Sequence, residues 1–142
     1  RGNHQFYRPK GVCVEPGIDG LLYVVDEPNH RVQVLTKEGQ YVRTLGVTGQ
    51  HGSSSHQFNQ PRGVCVEPGP RGRVFVADTG NHRVQVLKKD GTHLRTIGVT
   101  GQRGGGIHQF NTPYGVAVEP GPDGLLLYVA DSDNHRVHVF LK

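Results

Sequence analysis

Residues 57–86 read QFNQPRGVCVEPGPRGRVFVADTGNHRVQV, and closely similar stretches precede and follow them in a chain of 142 residues. The triplet His-Gln-Phe recurs at two steps of 52 residues, beginning at His4, His56 and His108. The run Asn-His-Arg-Val recurs with steps of 52 and 53 residues, beginning at Asn29, Asn81 and Asn134. Self-similarity at a fixed period indicates a repeat architecture in which each unit is one supersecondary motif.

Each unit contains strand-like stretches separated by short turns. In the second unit the predicted strands are Gly63–Glu67, Arg73–Ala77, Arg83–Lys88 and His93–Ile97. The connections between them are rich in Gly, Pro, Asp and Asn, as antiparallel hairpins require. The sequence therefore predicts a four-stranded antiparallel meander in each unit, except that the third unit ends at Lys142 without a fourth strand.

The apolar pattern of the strands is graded across each meander. The second strand is apolar at consecutive positions, as in Leu22–Val25, and the first strand resembles it at Val12–Val14, so both faces of these strands must be covered. The fourth strand alternates, as in Tyr41–Leu45, which is typical of an edge. Radial packing of four-stranded blades in a β-propeller produces this gradient. A β-sandwich would show alternation in most strands and no strict period.

We therefore predict an all-β chain that forms one partial β-propeller domain over residues 1–142. Its three blades span approximately residues 4–51, 56–103 and 108–142. No apolar run approaches the length of a membrane-spanning helix, so we expect no membrane partner.

The quoted stretch also resembles the NHL repeat, and units one and three match the same pattern from Gln5 and Gln109. Where the name-giving motif has Leu, this chain has Val32, Val84 and Val137. The resemblance covers nearly the whole chain and implies blades of an NHL-type propeller, normally a ring of six. The family includes tripartite-motif ubiquitin ligases, translational repressors and amidating lyases, so the fold leaves the function open.

Polar residues recur in every unit, and the sequence favours a structural role for them. They form the repeated motif Asn29, His30, Arg31; Asn81, His82, Arg83; and Asn134, His135, Arg136. The resemblance raises a zinc hypothesis, because amidating lyases of this family place histidine ligands near their channel. The chain, however, has no paired histidines at ligand spacing beside a carboxylate. His30 is expected to bond nearby backbone instead.

The repeated Asp-x-x-Asn turns raise a calcium hypothesis, with Asp26, Asp78 and Asp131 as the acidic residues. Each turn supplies only a few of the six or more oxygens that calcium needs, and Asx side chains more often bond their own turn. We therefore expect no metal and no cofactor.

The near-identity of the repeats also weighs against catalysis, which needs one acid and one base in different environments. Cys13 and Cys65 occupy the same repeat position and are expected to be small core residues. Two cysteines without a disulfide framework favour a reducing compartment such as the cytoplasm. The run Lys88-Lys89-Asp90 is interpreted as a solvated turn.

The repeats differ at one position just before the first strand, where they carry Lys10, Arg62 and Tyr114. In a propeller this position lies at the channel mouth, and we expect Tyr7, Arg8, His56 and Arg103 around it. Basic residues interleaved with aromatic rings suit single-stranded RNA, and some tripartite-motif NHL domains bind RNA on that face. An ordinary solvated rim is the favoured interpretation of this surface, and RNA binding is the alternative. For the chain as a whole we predict a non-catalytic scaffold that binds protein partners through loops or open blade faces.

Three blades make half of the usual six-blade ring, and the faces of its end blades are apolar. If the 142 residues are the whole polypeptide, two copies are expected to close a six-blade ring, because closure removes both open faces. If they are part of a longer chain, the remaining blades come from that chain.

Overall fold

The computed structural model describes residues 2 and 5–141, which form three antiparallel sheets in chain order. Blade 1 contains β1 (Pro9–Val14), β2 (Leu21–Asp26), β3 (Arg31–Thr36) and β4 (Tyr41–Gly46). Blade 2 contains β5 (Gly63–Val66), β6 (Arg73–Asp78), β7 (Arg83–Lys88) and β8 (His93–Gly98). Blade 3 contains β9 (Pro113–Gly121), β10 (Gly124–Asp131) and β11 (Arg136–Leu141).

Neighbouring strands of each sheet are also neighbours in the sequence, so each blade is the predicted antiparallel meander. In the described part of the chain the third sheet has three strands. A one-turn 3-10 helix joins the second and third strands of every blade, at Glu27–Asn29, Thr79–Asn81 and Ser132–Asn134. His4 and Lys142, the ends of the predicted first and third blades, lie outside the described residues. No helix in the described ranges is both long and apolar enough to cross a membrane.

The hydrophobic core consists of two layers, one in each joint between consecutive blades. The first joint buries residues of blade 1 against residues of blade 2, including Tyr23, Val25, Val32, Val34, Val64, Val74, Val76 and Leu87. The second joint repeats this arrangement between blades 2 and 3, with Phe75, Val84, Val86, Leu127 and Val129. The β-propeller prediction is therefore confirmed: each sheet is a blade that packs face to face on the next.

Phe58 and Phe110, from the second and third His-Gln-Phe triplets, each close one joint from the outer side. The ring of Phe58 packs beneath Gly46, where a β-carbon would lie 2.7 Å from the ring. Gly46 also has a φ of 89°, so glycine is required there both for the backbone and for the close approach. Phe110 and Gly98 repeat this contact at the second joint.

The prediction that both faces of the first strand are covered is wrong for blade 1. Val12 is 65% exposed, whereas Val64, its equivalent in blade 2, is 6% exposed. The physical reason is that blade 2 has blade 1 on that face, whereas in the described chain no blade covers the corresponding face of blade 1. The strand pattern is thus that of a sheet with a neighbour on each side.

Candidate functional site

The three residues that distinguish the repeats, Lys10, Arg62 and Tyr114, lie along the innermost strands, and we call them the inner rim. β1 packs against β5, and β5 packs against β9. Each inner rim residue is followed in the sequence by a glycine. A β-carbon on Gly63 would lie 2.2 Å from the carbonyl oxygen of Tyr114. The backbones of neighbouring blades therefore approach closely here, which places the inner rim residues one after another around the axis of the propeller.

Arg62 is held by residues of both neighbouring blades. Its Nε donates a hydrogen bond to Oε2 of Glu27 at 2.8 Å, and its guanidinium carbon lies 5.1 Å from the centroid of the Tyr114 ring. Glu27 is buried in the 3-10 turn of blade 1. The repeat pattern does not indicate this ion pair, because Thr79 takes the equivalent place in blade 2 and instead donates a hydrogen bond to the Pro113 carbonyl. The one sequence feature that could have indicated this pair is that Glu27 is acidic, whereas the equivalent turn residues are Thr79 and Ser132.

The other residues expected around the inner rim divide between two places. The Arg8 guanidinium lies 5.9 Å from the Tyr7 ring centroid, which forms a second arginine–aromatic pair on the same side of the molecule. Arg103 lies close enough to His82 to contribute to the lowering of its pKa. His56 lies apart from the inner rim, in a cavity of about 230 Å³ beside β4.

The repeated Asp, Asn and Arg residues form a hydrogen-bonded cluster that we call the turn triad. In blade 2, Oδ2 of Asp78 accepts hydrogen bonds from Nδ2 of Asn81 at 2.9 Å and from Nε of Arg83 at 2.7 Å. Oδ1 of Asp78 accepts the backbone N–H of Asn59 at 2.7 Å. Because donors occupy both carboxylate oxygens, the calcium hypothesis does not fit this turn. Equivalent triads are Asp26, Asn29, Arg31 and Asp131, Asn134, Arg136.

The arginine of the turn triad also anchors the loop that enters its blade. The Arg83 guanidinium donates hydrogen bonds to the carbonyls of Ser53, Ser54 and Gln57, each at 2.9 Å. Its Nη1 also reaches Oγ1 of Thr100 at 3.1 Å. This array explains why Asp, Asn and Arg recur together: the triad binds the loop that enters the blade. The structural role predicted for the motif agrees with this geometry.

The motif histidines connect one blade to the next. Nδ1 of His30 accepts the backbone N–H of Gln60 at 3.0 Å, and Nδ1 of His82 accepts that of Thr112 at 3.1 Å. Gln60 and Thr112 have positive φ angles of 49° and 60°, an uncommon conformation for residues other than glycine. Each histidine therefore bonds backbone, as predicted, but the backbone belongs to the following blade. In the described ranges no group of three or more His, Cys, Asp or Glu residues is arranged to hold a metal.

The histidine contacts make stability depend on pH. Burial, above all, lowers the pKa of His30 and His82 below the ordinary value of 6.5. A histidine whose pKa is lowered in the folded state contributes stability above pH 6.5. This contribution is lost as the pH falls through the pKa of the folded state. The direction agrees with the geometry, because a protonated Nδ1 cannot accept a hydrogen bond.

We therefore expect the urea midpoint to fall as the pH decreases below 6.5, where His30 and His82 begin to protonate. The variant His30→Gln with His82→Gln should lower stability at neutral pH and flatten this decline. The exposed His56 supplies the control, and His56→Gln should leave the pH profile unchanged. An identical profile in the double variant and the wild type would contradict the assignment.

The remaining repeated residues have structural contacts. Burial raises the pKa of the Cys13 thiol to about 12 and raises that of Cys65 still further, so both remain protonated at neutral pH. Oε1 of Glu15 accepts a hydrogen bond from the Tyr23 hydroxyl at 3.0 Å. Its Oε2 accepts one from Nζ of Lys89 at 2.7 Å. The interpretation of Lys88-Lys89-Asp90 as a solvated turn is therefore wrong for Lys89, which bridges blades 1 and 2.

Consecutive four-stranded meanders that pack face to face, with their first strands innermost, define the chain as part of a β-propeller. The NHL repeat family matches residues 6–35, 58–87 and 110–140, one match in each blade. The chain belongs to the NHL repeat family.

Three comparisons place the chain among known proteins. It is 44% identical over 73 residues to NHL repeat-containing protein 2 of Gallus gallus, which covers 47% of this chain and 10% of that protein. It is 35% identical over 147 aligned residues to peptidylglycine alpha-amidating monooxygenase of Rattus norvegicus, which covers 98% of this chain and 14% of that protein. The solved structure of an auxiliary nutrient binding protein from Bacteroides thetaiotaomicron has a TM-score of 0.66 at 16% identity, over 90% of this chain and 36% of that chain. The chain thus spans a minor part of each.

Proposed function

We propose that this NHL propeller segment is a non-catalytic interaction scaffold that binds a protein partner through its loops or open blade faces. If the 142 residues are the whole polypeptide, that partner is a second copy of the same chain. The observation that carries the proposal is that apolar side chains on the open faces are exposed, whereas their equivalents in the internal joints are buried or partly buried. Val137 in β11 is 63% exposed, whereas Val84, its equivalent in blade 2, is fully buried against blade 3. Val12 and Val14 of blade 1 are likewise exposed. Apolar surface of this kind is a recognised mark of an interaction site.

The two open faces are complementary because they repeat the two sides of an internal joint. The open face of blade 3 carries Val137 and Val139, which correspond to the residues that blade 2 presents to blade 3. The open face of blade 1 carries Val12 and Val14, equivalent to Val64 and Val66 of blade 2, which pack in the first joint. Blade 3 of one copy can therefore pack on blade 1 of another as blade 1 packs on blade 2.

The hydrogen bond that joins a motif histidine to the backbone of the next blade can also form between blade 3 of one copy and blade 1 of another. His135 has the left-handed conformation of His30 and His82, with a φ of 54°. By the 52-residue period, the backbone N–H that its ring would accept in the next blade belongs to Arg8 of a second copy. Two such joints, related by one two-fold axis, close a ring of six blades.

A charged substitution on an open face tests this proposal. Val139→Asp would place a carboxylate in an apolar joint, at an effective cost of several kcal/mol, and we expect it to abolish the dimer at micromolar concentration. The control is Ile18→Asp, because Ile18 is 94% exposed on the β1–β2 hairpin, away from the open faces. Analytical ultracentrifugation measures both. Equal effects of the two substitutions, or no effect of Val139→Asp, would contradict the proposal.

Binding of single-stranded RNA is the second candidate, and the two arginine–aromatic pairs, Arg8 with Tyr7 and Arg62 with Tyr114, favour it. Bases stack on such rings while cationic groups contact phosphates. The Glu27 carboxylate, which already neutralises Arg62, leaves Lys10 and Arg8 to contact phosphates.

The RNA candidate predicts salt-sensitive binding of a uridine decamer. Arg8→Glu with Lys10→Glu should weaken this binding and reduce the slope of log K against log salt by about 1.4, or about 0.7 for each phosphate contact. Lys37→Glu, on the hairpin at the opposite ends of the strands, should change neither. No binding at low salt would eliminate the RNA candidate.

A metal-dependent enzyme resembling the amidating lyases is the third candidate. The similarity to the rat monooxygenase motivates it, whereas the hydrogen bonds of His30 and His82 to backbone weigh against it. The test is elemental analysis of the purified chain. Stoichiometric zinc or calcium would contradict our non-catalytic proposal.

A further inference from the structure

A cavity lined by five basic side chains lies on the side of blade 2 away from the inner rim. Its volume is about 640 Å³, and its lining includes Arg43, Arg71, Arg73, Lys88 and Lys89, with Asp90 as its single acidic residue. The cavity thus gathers five of the chain's 16 Lys and Arg residues and one of its 12 Asp and Glu residues. This density of cationic groups in one concave site favours an anionic ligand.

The repeats show that packing of the blades does not require these charges. Where blade 2 has Arg71, both other units have an aspartate, Asp19 and Asp123. At the place of Arg73 both have leucine, and at the place of Lys88 they have Thr36 and Leu141. All three exchanges in the second unit introduce positive charge, and all three line the same cavity. The similar blades therefore differ in charge at this place as well as at the inner rim.

Several of the basic groups are held in position by their neighbours. Arg73 pairs with Glu67, and its guanidinium carbon lies 5.5 Å from the Phe75 ring centroid. Lys89 bonds Glu15, and Nη1 of Arg43 donates to the Lys89 carbonyl at 2.8 Å. These contacts fix the walls of the cavity before a ligand arrives.

The exposed side chains supply the charge for recognition. Arg71 and Lys88 are exposed at the mouth of the cavity, where they can reach a ligand. Asp90 opposes them, with its pKa lowered mainly by hydrogen bonds from Thr92. Glu67 and Glu15 pair with Arg73 and Lys89, and Asp90 offsets part of the charge of Arg43 and Lys88, so the cavity as a whole keeps an excess of positive charge.

We propose that the cavity formed by Arg43, Arg71, Arg73, Lys88 and Lys89 binds an acidic peptide segment. Carboxylates of the peptide accept charge-assisted hydrogen bonds from Arg71 and Lys88. Pro70 and Leu94, which also line the cavity, contact an apolar side chain between them. The lining contains no aromatic residue on which a nucleotide base could stack, which favours a peptide over single-stranded nucleic acid. Both walls of the cavity come from blades 1 and 2, so the site is independent of the open faces.

The direct test uses a fluorescein-labelled hexapeptide of alternating glutamate and leucine, with fluorescence anisotropy at low ionic strength as the readout. The variant Arg71→Asp with Lys88→Thr restores the residues of the first unit and changes only exposed side chains. We expect it to weaken binding by about tenfold or more, because the peptide carboxylates lose the charge-assisted hydrogen bonds from Arg71 and Lys88. Arg103→Asp with Lys10→Thr makes the same charge change on the opposite side and should have little effect.

Three results would overturn the proposal. The first is that the peptide does not bind at millimolar concentration, and the second is that the two double variants weaken its binding equally. The third is that a uridine decamer binds as tightly as the peptide does and loses as much affinity in the variant Arg71→Asp with Lys88→Thr. The last result would make the cavity a site for nucleic acid. Failure of ring closure would leave this experiment unaffected.

Discussion

Arg83→Ala should lower the free energy of unfolding by about 3–5 kcal/mol, because it removes one partner of a buried ion pair. The Arg83 side chain is 2% exposed, and its guanidinium bonds Asp78 and the loop that enters blade 2. Burial already raises the pKa of Asp78, while Asn81 and Arg83 oppose that rise. The substitution would therefore leave a buried carboxylate poorly compensated and a loop without its anchor.

The third blade offers a matched control for this prediction. Arg136 makes the equivalent bonds, but its side chain is 28% exposed. Because water can reach this site and replace part of the hydrogen bonding of the guanidinium, we expect Arg136→Ala to lower the free energy of unfolding by less than half as much as Arg83→Ala. Urea denaturation at one fixed chain concentration gives both values. Equal losses in the two variants, or a loss below about 1 kcal/mol for Arg83→Ala, would contradict the role assigned to the turn triad.

Gly63→Ala should be the most damaging small substitution on the inner strands. A β-carbon there would lie 2.2 Å from the Tyr114 carbonyl oxygen, and this contact can be relieved only by separation of two packed backbones. Overpacking of this kind costs about 1–3 kcal/mol and occasionally more. Thermal unfolding followed by circular dichroism should show the loss at every protein concentration.

Gly115→Ala is the informative counterpart, because the nearest atom to its β-carbon within the chain is 3.8 Å away. The single chain should therefore tolerate this substitution and remain folded. In a closed ring, however, Gly115 would face the backbone of Lys10 in a second copy, as Gly63 faces Tyr114. We expect a folded chain whose dimer dissociates more readily than the wild type. Unchanged dimerisation would contradict closure through the inner strands.

The strands of each blade were predictable because Gly, Pro, Asp and Asn mark nearly every turn. In the second unit the predicted Arg83–Lys88 is identical to β7, and the other strands differ by one residue at their ends. The positions of Lys10, Arg62 and Tyr114 along the inner strands also follow from the repeat. A fixed period assigns equivalent residues to equivalent places, so three copies of one motif determine most of the fold.

The contacts between blades were less predictable. Arg62 pairs with Glu27 and Lys89 with Glu15 across 35 and 74 residues of sequence. Neither pair recurs at every joint, and the repeat therefore carries no signal for them. His56 lies beside β4 rather than at the inner rim, and its repeat equivalent His108 lies in the same way beside β8, because the loops that contain them run along the outer side of the joints. Such pairings depend on how neighbouring blades are rotated against each other, which strand patterns leave undetermined.

The molar mass of the purified 142-residue chain shows whether its open blade faces bind a second copy. Val12, Val14, Val137 and Val139 are exposed, whereas their equivalents in the internal joints are buried or partly buried, so we expect two copies of the isolated chain to close one ring. Multi-angle light scattering at micromolar concentration should give twice the chain mass of 15.6 kDa. A stable, well-folded monomer of 15.6 kDa at that concentration would contradict the proposal that the open blade faces bind a second copy.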